Sequence, residues 1–495
     1  MRLGDLPPLE GRDANFAILD TEETRLGRAL APAVRSHPGL SGIHPLFDAR
    51  AAFAARVLLA RSADRTLDLQ YYIWRNDLSG TLLFEELRAA ADRGVRVRLL
   101  LDDHPVTDLD ETLRMLDAHP NIEVRLFNPY VIRKPRFLNA LSSASRLNRR
   151  IHNKSFTADS QVTIVGGRNI GDEYFGATDG VLFSDLDVAA VGAVVPEVSR
   201  DSDRYWNCGA AFPIRSLAPP LSPVRLNELR MRARRIFKSD EASEFREALR
   251  ETAFVRDLLN GTVINDWAPT RLVSDDPNKV FGRAPRKAHL GPQLEKIIGA
   301  PEKELALVSA YFVPGKDGTE AFTEMVARGI DVKVLTNSLE ATDVAIVQSG
   351  YAKRRKALLR GGVRLYELLR SGGDERTGAG GSGSSRSSLH AKTFAVDRTR
   401  LFVGSFNFDP RSNHLNTELG FVIDSPLLAS EMSERFEERI PKSSYEVVLN
   451  ERGKLEWIEY VTDEETIRHT TEPGARWWER AAVNVLARLP IEWLL

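Results

Sequence analysis

Cysteine occurs once in 495 residues, at Cys208, so an intramolecular disulfide is excluded and cysteine-built zinc sites lack their ligands. Cys208 itself is expected to be a small buried apolar side chain. No run approaches the ~20 apolar residues of a membrane-spanning helix, which leaves peripheral contact as the expected mode of any membrane association. The opening stretch MRLGDLPPLEGRDANFAILD has neither a basic leader nor an apolar centre, so no secretory signal is expected. Excess charge is missing as well. The 68 Lys and Arg against 69 Asp and Glu leave a net charge of -1, whereas a general nucleic-acid binder is usually markedly basic, and this counts against a DNA or RNA partner.

What is present is material for more than one core. Hydrophobic residues make up 42% of a chain too long for a single core, which rules out wholesale disorder and predicts at least two domains. The expected division is an N-terminal segment over 1–41, a first domain over 42–222, a helical connector over 223–264, a second domain over 265–440 and a C-terminal segment over 441–495. The basic, helix-favouring stretch Arg225 to Asn260 is the connector, with a solvated or lipid-facing basic side. The run Ser371 to Ser388, apolar only at Ala379, predicts a mobile loop leading into His390.

The two domains are repeats of one another. RTLDLQYYIW, TLLFEELRAAADRG and VRVRLLLDD read as strand, helix and strand, and KELALVSAYFVPG, GTEAFTEMVARG and IDVKVLTNS repeat that order. Each half therefore predicts an α/β layer with a largely parallel sheet and helices on both faces. Each then ends on a more distinctive pattern, RIHNKSFTADSQVTIVGGRN in the first half and LHAKTFAVDRTRLFVGSFN in the second. Both contain H-x-K, an Asp five residues after the Lys, an aliphatic strand, a Gly followed by Gly or Ser, and an Asn two residues later.

Strand parity points His152 and Lys154 the same way, and likewise His390 and Lys392. Asp159 and Asp397 fall at the turn of a predicted hairpin and are expected to serve structure rather than proton transfer. The return strands end at Gly167 and Asn169 in one half and Ser405 and Asn407 in the other. There a phosphate can approach the backbone and an Asn amide can donate to it. Packed about a pseudo-twofold axis, with the active site at their interface, two such domains would supply two His, two Lys and two Asn. That set can neutralise a phosphodiester transition state with no metal or cofactor, so turnover is expected to be indifferent to chelators. Each imidazole also needs an acceptor on its Nδ1–H. The second half offers Glu418, and the first offers Asp185, its counterpart by the shared acid-Leu step, with Asp187 as the alternative.

These paired patterns resemble the HKD motifs of the phospholipase D superfamily, and the resemblance runs from about Gly42 to Asp424. Flanking stretches such as IHPLFDARAAFAARVLLARSADRTLDLQYYIW and LPIEWLL are similar to the bacterial cardiolipin synthase group, its C-type members in particular. The resemblance implies a covalent phosphohistidine, with His152 the nucleophile and His390 the acid. It also implies phosphatidyl transfer to an alcohol such as phosphatidylglycerol, anionic and zwitterionic phospholipids as partners, and a peripheral place on a bacterial inner membrane. Hydrolysis by water, as in a phospholipase or nuclease, would use the same residues. Two segments support a lipid surface. RKPRFLNALSSASRLNRR, Arg133 to Arg150, carries no acid, and cations of this kind are worth about 1 kcal/mol each near an anionic bilayer. In ARWWERAAVNVLARLPIEWLL, Trp478, Ala482, Val485 and Leu489 share one helical face, which suits either the membrane interface or docking on the core.

Overall fold

A computed structural model of the chain describes residues 6–8, 12–106, 108–133, 136–139, 145–176, 181–218, 228–260, 262, 264, 266–342, 344–370, 386–462 and 465–488. The chain forms two compact units, and neither is one continuous stretch. The first comprises Met1–Ala177, Asp187–Leu290 and Leu415–Gly420, and the second Thr178–Leu186, Gly291–His414 and Phe421–Leu495.

The first unit contains β1 (Ser41–Leu46), β2 (Thr66–Tyr71), β3 (Arg96–Asp102), β4 (Ile122–Phe127), β5 (Ser155–Ala158) and β6 (Val162–Gly166). After β7 (Val181–Ser184), which belongs to the second unit, come β8 (Asp187–Gly192), β9 (Ala211–Pro213), β10 (Asp266–Ala268) and β11 (Thr270–Ser274). The main sheet runs β10-β1-β8-β6-β5-β2-β3-β4-β9. Its β2, β3 and β4 are parallel, and the other neighbours are antiparallel. All of β2 and nearly all of β3 are buried, because helices cover both faces of the parallel part. A charge in such a strand needs a partner. Arg98 on β3 accordingly meets Asp68 on β2 at 2.5 Å and Asp203 at 2.8 Å.

The crossover from β2 to β3 is the helix Leu78–Asp92. Asp77 caps it by accepting from Gly80 N at 2.9 Å, and Gly94 ends it with φ +97°, a left-handed conformation that suits glycine. The connector stretch adds helices Glu228–Lys238, Ser243–Glu251 and Phe254–Leu259. They pack onto the first unit through Leu229, Ala233 and Phe245, the last with its ring 4.4 Å from Phe53, and leave Arg230, Arg234 and Arg235 exposed. Cys208 is half-buried beside Phe127 and Trp206, and burial pushes its thiol up to about 11.

The second unit repeats the plan with β12 (Glu304–Ser309), the helix Gly315–Ala327, β13 (Asp331–Asn337) and β14 (Arg364–Leu368), the three strands being parallel. Next come β15 (Arg386–Leu389), β16 (Lys392–Val396), β17 (Arg400–Gly404), β18 (Leu419–Ile423), β19 (Ser444–Leu449), β20 (Leu455–Tyr460) and β21 (Thr466–His469). The sheet continues from β18 as β18-β17-β16-β12-β13-β14-β19-β20-β21, while β15 and β7 form a separate parallel pair.

Three expectations change here. The main sheets, expected to be largely parallel, are parallel among the described residues only across β2-β3-β4 and β12-β13-β14. Of the run read as a mobile loop, 371–385 lies outside the described residues. Arg386, Ser387 and Ser388 are strand, because pairing with β7 satisfies their backbone groups. The stretch 441–495, expected only as a terminal segment with an amphipathic helix, extends the sheet by three strands. Charge hid them from a hydrophobicity reading. Glu367 on β14 is buried, pairs with Arg355 at 2.9 Å and accepts from Trp457 Nε1 at 2.8 Å.

Candidate functional site

Both hairpin turns are built alike. Asp159 and Ser160 have φ +50° and +49°, and Asp397 and Arg398 have +53° and +54°. Two consecutive positive φ values suit a tight turn between strands, closed here by Gln161 N donating to Ala158 O and Thr399 N to Val396 O, each at 3.0 Å. The Asp159 carboxylate accepts from Arg65 N at 2.7 Å, Thr66 N at 2.9 Å and Asp64 N at 2.9 Å. Asp397 accepts from Lys303 N at 2.7 Å, Glu304 N at 2.9 Å and Glu302 N at 3.0 Å. Each carboxylate thus ties its turn to the start of the first strand of the repeat. Removing the buried one, as in Asp159→Ala, leaves three N–H groups without their acceptor. The expected cost is about 2–4 kcal/mol of stability, measurable by urea unfolding, with a smaller loss for the more exposed Asp397→Ala.

The strand after each turn brings back the asparagine. Asn169 Oδ1 accepts from Ile73 N at 3.1 Å and its Nδ2 donates to Tyr174 Oη at 3.0 Å. Asn407 Oδ1 accepts from Tyr311 N at 3.4 Å. Ile73 and Tyr311 occupy equivalent places after β2 and β12, so both amides hold the exit of the first strand. Gly167 and Ser405 are buried just beyond β6 and β17.

His152 precedes β5 in a short extended segment that pairs with Thr417, its N–H donating to Thr417 O at 2.8 Å. Its Nδ1 lies 2.8 Å from Glu418 Oε2, in surroundings where Glu418 is wholly buried. The Tyr72 ring stands edge-on to the imidazole at 5.1 Å, and Lys154 Nζ donates to His152 O at 2.6 Å. In the second unit His390 N and Ala391 N both donate to Ser184 O, at 2.8 and 3.1 Å. His390 Nδ1 lies 2.6 Å from Asp185 Oδ2. Lys392 Nζ lies 2.9 Å from the same nitrogen and donates to His390 O. An Nδ1–H bonded to a carboxylate cannot also accept from an ammonium, so the carboxylate takes the hydrogen bond and Lys392 acts as a neighbouring charge.

The acids are therefore exchanged between the sequence halves. His152 of the first half is served by Glu418 of the second, and His390 by Asp185 of the first, although each pair lies within one compact unit. Asp187, the alternative to Asp185, is committed elsewhere. It pairs with Arg56 at 2.7 Å and accepts from Arg168 N at 3.1 Å, and so is not the imidazole partner.

Sequence reasoning missed what stands behind Glu418. Asp275 Oδ2 accepts from Glu418 N at 2.9 Å and from Lys279 Nζ at 3.0 Å, Asp275 N donates to Glu418 O at 3.0 Å, and Asp275 Oδ1 accepts from Leu290 N at 2.8 Å. No local motif marks this Asp. Burial pushes its carboxyl up from 3.8 to about 7, against the pull of Lys279. A carboxyl raised on folding contributes stability that is fully present below its unfolded value and lost as pH rises through the folded one. The first unit should therefore lose thermal stability as pH rises from about 4 to about 8, and Asp275→Asn should flatten that fall.

The basic segment Arg133 to Arg150 proves to be largely used internally. Lys134, Pro135 and 140–144 lie outside the described residues. Arg133 pairs with Asp103 and Asp110, Arg136 donates to Asp103 O at 2.8 Å, and Arg150 lies 3.3 Å from Asp102. These three are mostly buried, so they do not form the membrane-facing surface expected of them.

The arrangement, a duplicated α/β unit with a carboxylate-held histidine in each, is that of the phospholipase D class. The crystal structure of phosphatidylserine synthase from Haemophilus influenzae Rd KW20 shares the fold, with a TM-score of 0.55 at 16% identity over 87% of this chain and 92% of that one. The family described as cardiolipin synthase, PLD-like domain, matches residues 58–194 and 294–440. Cardiolipin synthase C of Escherichia coli strain K12 is 46% identical over 95% of this chain and 100% of its own length. Cardiolipin synthase B of Shigella flexneri is 25% identical over 73% of this chain and 71% of its own length. The chain belongs to the cardiolipin synthase, PLD-like family, and it is an enzyme of the phospholipase D superfamily.

Proposed function

We propose that the protein is a phosphatidyltransferase that forms cardiolipin-type phospholipid through a covalent phosphohistidine. The observation that carries this reading is the pair of imidazoles, each with Nδ1 against a buried carboxylate. That contact fixes the tautomer, leaves Nε2 for chemistry and stabilises the imidazolium when it forms. His152 Nε2 attacks phosphorus of the donor lipid, forming P–N as the P–O bond to the leaving alcohol breaks, and His390 gives that alkoxide its proton. His390 then takes the proton of the acceptor hydroxyl, whose oxygen attacks phosphorus and releases His152. Lys154 and Lys392 supply positive charge for the phosphoryl oxygens. Water at the second step would give a phosphatidic acid instead, so the acceptor decides between transfer and hydrolysis. Labelled phosphatidylglycerol, supplied with and without additional glycerol-type acceptor and followed by thin-layer chromatography, tests the reading. A doubly phosphatidylated product is expected, and phosphatidic acid alone would overturn it.

Such an enzyme has to reach lipid from the side. No helix among the described residues is long and apolar enough to cross a membrane. The helix Trp477–Leu486 has two faces. Val483 is buried with Leu339 and Ala475, which docks the helix on the second unit. Trp477, Trp478 and Val485 are 75%, 49% and 59% exposed, the composition of an interfacial anchor. Leu489, also expected on this surface, lies outside the described residues. The double variant Trp477→Ala, Trp478→Ala is expected to weaken binding to anionic vesicles by about fivefold or more. Its melting temperature and its turnover of a soluble short-chain substrate should stay unchanged. Unaltered co-sedimentation would remove the helix from membrane contact.

A further inference from the structure

The duplication contains a correspondence that the histidine motifs and their acids do not use. β3 and β13 are seven residues each and lie parallel to the first strand of their repeat, β2 and β12. Asp102 ends β3 and Asn337 ends β13, and both are buried. Asp102 Oδ2 accepts from Ile151 N at 3.0 Å, and Asn337 Oδ1 accepts from Leu389 N at 2.8 Å. Ile151 directly precedes His152, and Leu389 directly precedes His390. The same strand end therefore grips the same backbone N–H in front of each histidine.

The remaining contacts differ as a carboxylate and an amide require. Asp102 Oδ1 accepts from His104 N at 2.8 Å and faces Arg150 Nη1 at 3.3 Å. Asn337 Nδ2 donates to Leu389 O at 2.9 Å and Ala310 O at 3.2 Å, which a carboxylate cannot do. Two different side chains, each satisfied in its own way, have the one contact to the pre-histidine N–H in common. With the histidine N–H on Thr417 O or Ser184 O, and Nδ1 on its acid, each imidazole is held from three directions.

We propose that Asp102 and Asn337 are positioning residues for phosphoryl transfer, fixing the backbone from which His152 and His390 project so that Nε2 stays aimed at phosphorus. This rests on the reading of the two histidines as the reacting groups. A reacting group displaced by about 1 Å can lose on the order of 10²-fold in rate.

The test uses the full chain with labelled phosphatidylglycerol in mixed micelles. Asp102→Ala and Asn337→Ala should each lower kcat by about 10–100-fold with KM within about twofold. Asp102→Asn keeps an oxygen for Ile151 N and should recover part of the loss. Asn337→Asp sets a carboxylate against two carbonyl oxygens and should lose activity as the alanine variant does. His152→Ala is measured alongside. If it is active, the histidine reading fails. If it is inactive while folded Asp102→Ala and Asn337→Ala keep kcat within about twofold, or lose only KM, the positioning role alone fails. Should an alanine variant not fold by circular dichroism, Asp102→Asn and Asn337→Asp decide, and an unaltered kcat in both overturns the proposal.

Discussion

His152→Ala and His390→Ala are each expected to lower turnover by at least about 10⁴-fold while leaving the fold intact. The two residues act in successive steps of one reaction, so loss of either stops the cycle and the double variant should be little worse than a single one. Alanine takes the imidazole from the buried carboxylates of Glu418 and Asp185, so a lowered melting temperature is expected beside the retained fold. Far-ultraviolet circular dichroism with the labelled-lipid assay would check both halves of the expectation. A folded single variant with activity within tenfold of the unaltered protein would exclude the two-histidine mechanism.

The second large effect separates the roles of the exchanged acids. Glu418→Gln and Asp185→Asn should each lower kcat by about 10²–10⁴-fold, because an amide facing Nδ1 can donate to it and push the proton onto Nε2. An Nε2 that carries a proton cannot attack. In Glu418→Gln this falls on His152, so no phosphoenzyme should form. In Asp185→Asn it falls on His390, whose part in discharging the intermediate suffers, so acid-labile phosphoenzyme should persist after rapid quenching with labelled donor. Phosphoenzyme that forms and decays at the unaltered rate in both variants would sink the assignment. The opposite pattern would exchange nucleophile and acid.

The sequence made the chemistry legible because a repeated pattern states its residues twice. His152 with Lys154 and His390 with Lys392 stand out from the duplication alone, and so do the turn aspartates, whose spacing follows from hairpin geometry. Partnership was less legible. Aligning Asp185-Leu186 with Glu418-Leu419 finds both acids, yet nothing in local spacing says that residues 181–186 pack with the second unit and 415–420 with the first. That depends on which segments pair once both sheets exist. Asp275 was invisible for a related reason, since its function lies in contacts with Glu418, Lys279 and Leu290, three separate places in the chain. The strands β19 to β21 were missed because charged residues, Glu446, Glu456, Glu459 and Arg468, interrupt the apolar alternation that marks a strand.

The exchange of acids also bears on whether this gene could ever be divided or shortened. A break placed between the halves, near residue 265, would yield two fragments that each carry a histidine and the carboxylate belonging to the other. Either fragment alone would be inert even if it folded, while co-expression of the two would restore activity only by reassembly. A lesion at Asp185 could be complemented by an intact first fragment supplied in trans, and one at Glu418 by an intact second fragment. Heredity in this enzyme is thus bound across the duplication, each copy keeping the other from being lost.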